Sequence, residues 1–172
     1  MRQILQTGTL IITLDLAPVD QAFFNALREK HFPAHANYLD AHITLFHKLP
    51  ANEVGIPDIL TKFANRNPIT LEVNNVHVMG TCVAYTLVSE ELRKLHEEMQ
   101  TAFGPWLIKQ DQQVLRPHIT VQNKVTAFKA QQLHQQLSAG FTPFRIATIG
   151  FSMWKYLKGP WRLIEKYPFL PL

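Results

Sequence analysis

The sequence predicts an α+β fold: two pseudo-symmetric lobes, each a mixed or antiparallel sheet with outer helices, around a central groove. Three observations predict it. The 172 residues are 47% hydrophobic and 17% charged, a balance that supports a folded chain of one-domain size and excludes disorder. Apolar periodicity gives the order strand, helix, strand, helix, strand in each half. A His-x-Thr-x tetrapeptide occurs in the second strand of each half, as His42-Ile43-Thr44-Leu45 and as His118-Ile119-Thr120-Val121. The expected organisation is one bilobal domain over 1–172, with halves of about 1–79 and 80–172 and strands exchanged between lobes.

Leu10, Ile12, Leu14 and Leu16 alternate with Thr9, Thr13 and Asp15, the period-2 pattern of a half-buried strand over Thr9 to Leu16. Pro18 opens a helix through about His31 with Phe23, Ala26 and Leu27 on one face, and Pro33 stops it. Residues Ala34 to Asp40 form a loop into the first His strand, which ends near Pro50. A second helix is expected from Pro57, carrying Ile59, Leu60 and Phe63, and Asn65-Arg66-Asn67-Pro68 ends it. Strands Ile69 to Met79 and Thr81 to Val88 turn at Gly80. The apolar parity shifts from Leu71 and Val73 to Val76 and Val78, which marks a bulge at Asn74-Asn75. Ser89 before Glu90 and Glu91 is an N-cap for a helix bearing Leu92, Leu95, Met99 and Phe103, closed by Gly104-Pro105. Beyond the second His strand, Thr126 caps a helix through Ala139 with Gly140 as its stop. Phe144 to Leu157 and Trp161 to Tyr167 are the last strands, turning at Gly159-Pro160.

On a strand, side chains two apart share a face. His42 with Thr44, and His118 with Thr120, therefore define a chemical face, while Ile43, Leu45, Ile119 and Val121 point to the core. Two such matches arise by chance on the order of once in a thousand chains of this composition. Imidazole, with a pKa of about 6.5, can accept or donate a proton near neutrality. In-line displacement at phosphorus needs both jobs: one group takes a proton from the attacking hydroxyl or water, another protonates the departing oxygen. His42 and His118 are candidates for these roles in either order. Thr44 and Thr120 are candidates to hydrogen-bond the non-bridging oxygens.

No metal or other cofactor is called for by this scheme. His31 and His35 are separated by Pro33, which breaks a shared helical face, and His42 and His47 have opposite strand parity. There is no His-Glu-x-x-His and no P-loop. His31, His35, His47, His77, His96 and His134 read as structural or solvent-facing. Arg116 and Lys124 share the parity of His118 and are candidate phosphate-attracting residues, and Tyr156 and Trp161 flank the last turn, where they can stack a base. The net charge of +4 is compatible with an anionic ligand. Cys82 is the only cysteine, so no internal disulfide or Cys-type zinc cluster can form, and a reducing cytoplasm is the expected location. No apolar stretch approaches the length of a membrane span, and no obligate protein partner is evident.

The paired tetrapeptides, with Arg116-Pro117 just before the second His, resemble the signature of the 2H phosphoesterase superfamily, which includes the 2′-5′ RNA ligases and 2′,3′-cyclic phosphodiesterases. The resemblance implies a metal-independent phosphoesterase. Its partner would be an RNA end or nucleotide bearing a 2′,3′-cyclic phosphate, which it opens to a 2′-phosphate. His118 would activate water, His42 would protonate the leaving 3′ oxygen, and Thr44 and Thr120 would bind the phosphate. Weak, reversible 2′-5′ RNA ligase activity could accompany it. The alternatives are a 2′-5′ oligonucleotide or small cyclic-nucleotide phosphodiesterase of the same superfamily, or an RNA-binding module without turnover.

Overall fold

The computed structural model describes residues 7–170. Its elements are β1 (Thr9–Leu16), α1 (Pro18–His31), β2 (Ile43–Pro50), α2 (Gly55–Ala64), β3 (Ile69–Met79), β4 (Cys82–Val88), α3 (Glu90–Phe103), β5 (His118–Gln122), α4 (Ala127–Ser138), β6 (Phe144–Tyr156) and β7 (Trp161–Pro168). Every strand pair is antiparallel, in the order β2-β1-β6-β3-β4-β5, with β7 also on β6.

The long strand β6 joins the halves. Along one edge its residues 148–155 pair with β1; along the other, residues 144–148 pair with β3 and 150–156 with β7. The two sheets expected from the sequence are thus fused through one strand. Gly150 marks where β7 presses on this joint, since a Cβ there would stand 2.8 Å from the Tyr167 carbonyl oxygen. The strands that end the order, β2 and β5, are brought back to within 8 Å of each other, Cα to Cα. These are the strands that carry the two tetrapeptides.

Local chemistry accounts for most boundaries. Pro18 starts α1 where its missing N–H costs no intrahelical bond. Ser89 Oγ accepts from Leu92 N–H at α3, and Thr126 Oγ1 from Lys129 N–H at α4. The register of β3 against β4 slips between Val73 and Asn75, the bulge that the parity change predicts, and Gly80 turns the hairpin with φ +58°. Helix α2 begins at Gly55, not at Pro57. A proline in the third position still falls in the first turn, whose N–H groups have no helical acceptor. Short 3-10 turns at Ala34–Ala36, Gly104–Trp106 and Gln110–Gln112 occupy stretches without apolar period.

Packing corrects one helical face. In α1 the buried residues are Phe24 and Arg28, whereas Phe23 is 48% exposed and Ala26 is exposed. Phe24 decides the matter by inserting its ring 5.5 Å from Tyr85 of β4 and 6.3 Å from Phe144 of β6. Full burial of such a ring contributes roughly 2–3 kcal/mol. Helix α1 therefore crosses from β1 to pack beside β5, and α4 lies on β3 and β4. On the other half α2 packs on β6 and β7, and α3 stacks His96 on Phe46 of β2. Among the described residues no helix is long and apolar enough to cross a membrane.

Candidate active site

Both tetrapeptides show the alternation that strand geometry demands. Ile43, Leu45, Ile119 and Val121 are at most 2% exposed, while His42, Thr44, His118 and Thr120 are half-buried. His42 immediately precedes β2 and His118 is the first residue of β5.

The two imidazoles are held in the same way. His42 Nδ1 donates to the Asp40 carbonyl at 2.7 Å, and His118 Nδ1 to the Arg116 carbonyl at 2.9 Å, in each case two residues back along the chain. A carbonyl can only accept, so Nδ1 carries a proton on both rings and Nε2 is the nitrogen not engaged by that bond. Burial pushes the His42 imidazolium down to about pKa 4. The hydrogen bond to the Asp40 carbonyl and the Asp40 charge act the other way, while Arg28 and His118 add to the depression. At neutral pH His42 is an uncharged base.

Each motif stands in a row of directly opposed residues across the sheet. Directly opposed residues share a face, so Thr44, Thr13, Ser152 and Lys166 line up across β2, β1, β6 and β7. Thr13 Oγ1 accepts from Trp154 Nε1 at 2.9 Å, and Ser152 Oγ donates to Asp15 Oδ1 at 2.7 Å. Burial raises the Asp15 carboxyl above the ordinary range, against the pull of Ser152 and Lys166. On the other half one row runs Thr120, Ala84, His77 and the next runs His118, Thr86, Asn75.

A cavity opens on each half. The one beside His42 is small, about 80 Å3, and is walled by Trp154 and Trp161 with Asp15, Ser152 and Lys166 among its polar lining. The one beside His118 is about 680 Å3 and largely apolar, with Arg116 in its lining. Trp161 thus lies at the site, its ring centroid 5.0 Å from that of His42. Lys124 is exposed on a turn with φ +60° and lines neither cavity, and Tyr156, paired with Trp161, is 43% exposed and also outside both.

Helix α1 supplies residues that sequence reasoning missed. Gln21 Nε2 donates to the Ala41 carbonyl and Asn25 Oδ1 accepts from Ala41 N–H, each at 2.8 Å, fixing the residue before His42. Arg28, 4% exposed, donates from Nη1 to the Thr120 carbonyl at 2.9 Å and from Nε to Asn37 Oδ1 at 3.1 Å. Its guanidinium also lies 4.3 Å over the Phe32 ring. One side chain thereby ties the loop leading to His42 to the strand of the second motif. The signal was available: Gln21, Asn25 and Arg28 follow helical spacing i, i+4, i+7.

Asp111 does the same for the far end of β2. Its carboxylate accepts from the backbone N–H groups of His47 and Lys48 and from His47 Nδ1, all within 3.0 Å. Burial alone would raise this carboxyl, yet those hydrogen bonds hold it below the usual carboxylate range. His96 Nε2 donates to the Leu45 carbonyl at 3.0 Å and His134 Nε2 to the Val76 carbonyl at 3.2 Å. His77 is exposed in the lining of the larger cavity.

An antiparallel α+β scaffold with a His-x-Thr-x motif on each of two converging edge strands is the class of protein that fold and site define. The chain belongs to the 2′-5′ RNA ligase superfamily, whose family model matches residues 16–160. Its fold is similar to LigT of E. coli, crystallised with NADP+ (16% identity, TM-score 0.59, covering 95% of this chain and 99% of that one). LigT with 3′-AMP gives 17% identity and TM-score 0.59 over the same shares of both chains. TT0787 of Thermus thermophilus is likewise similar, at 16% identity and TM-score 0.63 over 95% of this chain and 98% of that one. No curated protein sequence matches the chain.

Proposed function

We propose that the protein is a cyclic phosphodiesterase that opens 2′,3′-cyclic phosphates of RNA ends or nucleotides to 2′-phosphates, with His42 and His118 as its acid and base. The observation that carries the reading is the matched pair of imidazoles. Each has Nδ1 tied to the carbonyl two residues back, and each has Nε2 available for proton transfer beside a half-buried threonine of its own strand. Membership of the superfamily and a fold shared with the nucleotide-bound LigT structures support a nucleotide substrate.

In this mechanism His118 Nε2 takes a proton from water as its oxygen attacks phosphorus, and the bond from phosphorus to the 3′ oxygen breaks. His42 Nε2 delivers a proton to that oxygen, leaving a free 3′ hydroxyl and a 2′-phosphate. The hydroxyls of Thr44 and Thr120 donate to the non-bridging oxygens, where charge accumulates in the transition state. An uncharged resting His42 has no proton to give. The anionic phosphate supplies the missing counter-charge and raises the proton affinity of Nε2 when substrate binds. Arg116, at the larger cavity, attracts the anion. The same chemistry with a 5′ hydroxyl as nucleophile is weak 2′-5′ ligation.

The test is turnover of 2′,3′-cyclic nucleotides and cyclic-phosphate-ended oligonucleotides, with 2′ resolved from 3′ phosphate products. Exclusive 2′-phosphate is expected. RNA binding without any turnover would replace this reading by that of a binding module.

A further inference from the structure

The two cavities that flank the motifs differ more than eightfold in volume and differ in chemistry. About 80 Å3 of half-polar space beside His42 admits a few water molecules or a hydroxyl group. About 680 Å3 of mainly apolar space beside His118 lies within the size range of small-molecule sites. The floor of the larger one is the same sheet face that bears the second motif, because Thr86 stands directly opposite His118 and Ala84 directly opposite Thr120. Ala84 itself is 1% exposed, and the accessible part of this face is carried by half-buried Thr86 and by the residues beyond it. Val88, 48% exposed, continues the floor toward α3, and Leu92 and Leu115 close it.

Charge follows the same gradient. At the α3 end Arg93 is neutralised by ion pairs to Glu90 and Glu97. Arg116 lies nearer the motif, and its carbonyl fixes His118. The surface therefore runs from a phosphate-attracting mouth to an apolar interior edged by the His77 ring, Asn74 and Thr86. A nucleoside matches that gradient, with its phosphate at the mouth, a flat apolar face for the floor and a polar edge for the amide and hydroxyl groups. On the opposite side the indole of Trp161 already has His42 against it.

We propose that the cavity on the β3-β4-β5 half is the base-binding subsite, so that the nucleobase of the substrate lies over Val88 on the His118 side and not against Trp161. The inference rests on the phosphoesterase reading for its substrate class. It makes the enzyme selective for nucleoside-bearing cyclic phosphates over a bare sugar cyclic phosphate.

The experiment compares 2′,3′-cyclic AMP with ribose 2′,3′-cyclic phosphate, which lacks a base, in the wild type and in Val88→Glu and Val88→Trp. Wild type is expected to prefer the nucleotide by about tenfold or more in kcat/KM, and both variants to bring that ratio toward unity. A preference of wild-type size in both variants, or none in wild type, overturns the subsite. If neither substrate turns over, the phosphoesterase reading fails and the subsite is judged by amide NMR shifts on titration with 2′-AMP. Shifts at Val88, Leu92 and Leu115 uphold it. Shifts confined to Trp154 and Trp161, or no binding at millimolar ligand, refute it.

Discussion

The ring of His42 stands against that of Trp161, centroids 5.0 Å apart and planes tilted by 56°. Indole contact on one side, with the guanidinium of Arg28 acting from the direction of α1, accounts for an imidazole that stays neutral well below its ordinary range.

Acid should weaken the fold through this residue. Unfolded, His42 takes up a proton near its ordinary pKa of about 6.5; folded, it refuses one until about 4. Between those values the unfolded chain binds more protons, so His42 costs the fold stability as pH falls, by up to about 3 kcal/mol at pH 4. His42→Gln is expected to lose less stability than wild type between pH 7 and pH 4.5 in urea titrations. Equal losses in the two proteins would contradict the assigned environment.

Removing Trp161 should release the same imidazole. In Trp161→Ala, with water admitted to the ring, the His42 titration observed by NMR is expected to move up toward 6.5. On the alkaline side kcat/KM should rise with it, because the proposed proton donor is then better populated in the free protein.

Substitution of either imidazole tests the chemistry directly. His42→Ala and His118→Ala are each expected to lower kcat by about 10²–10⁴-fold with circular dichroism unchanged. Under the proposed mechanism the two act on one phosphorus, so the double variant should be little worse than either single one.

Arg28 predicts a split between charge and geometry. Arg28→Lys keeps a cation but loses the planar fork that reaches both Asn37 and the Thr120 carbonyl. Its kcat is expected to fall about tenfold with KM little changed, since the motifs lose alignment more than affinity. Arg28→Met additionally removes the positive charge facing His42, whose NMR titration should rise in that variant and not in the lysine one.

Asp111 should matter for stability. Asp111→Ala leaves the N–H groups of His47 and Lys48 without their acceptor, at a cost of about 2–3 kcal/mol in urea denaturation. Any turnover by the folded protein is expected to stay near wild type, because Asp111 holds the end of β2 remote from Thr44.

Much of this architecture was legible in the chain because the decisive signals are local. Ser89 and Thr126 announce their helices, the parity change after Val73 announces the bulge, and the duplicated tetrapeptide announces which strands must converge. What escaped is non-local. The buried face of α1 depends on Tyr85 and Phe144, so Phe23 looked as good an anchor as Phe24. Arg28 resembles any surface arginine until the carbonyl of Thr120, 92 positions later, arrives beside it. The two cavities are lined from stretches far apart in the chain, β3, β4, α3 and the start of β5 around the larger and β1, α1, β6 and β7 around the smaller, and no short window of sequence carries their inequality.

The shared strand limits how the protein can be divided. Because, among the described strands, β6 alone links β1 and β2 to β3, a fragment that stops after Met79 would contain a two-stranded ribbon and an orphan third strand with nothing to bind it. The internal likeness of the halves is therefore not a licence for autonomy. Gene halves expressed apart should remain unstructured until mixed, and the intact chain should melt in one step.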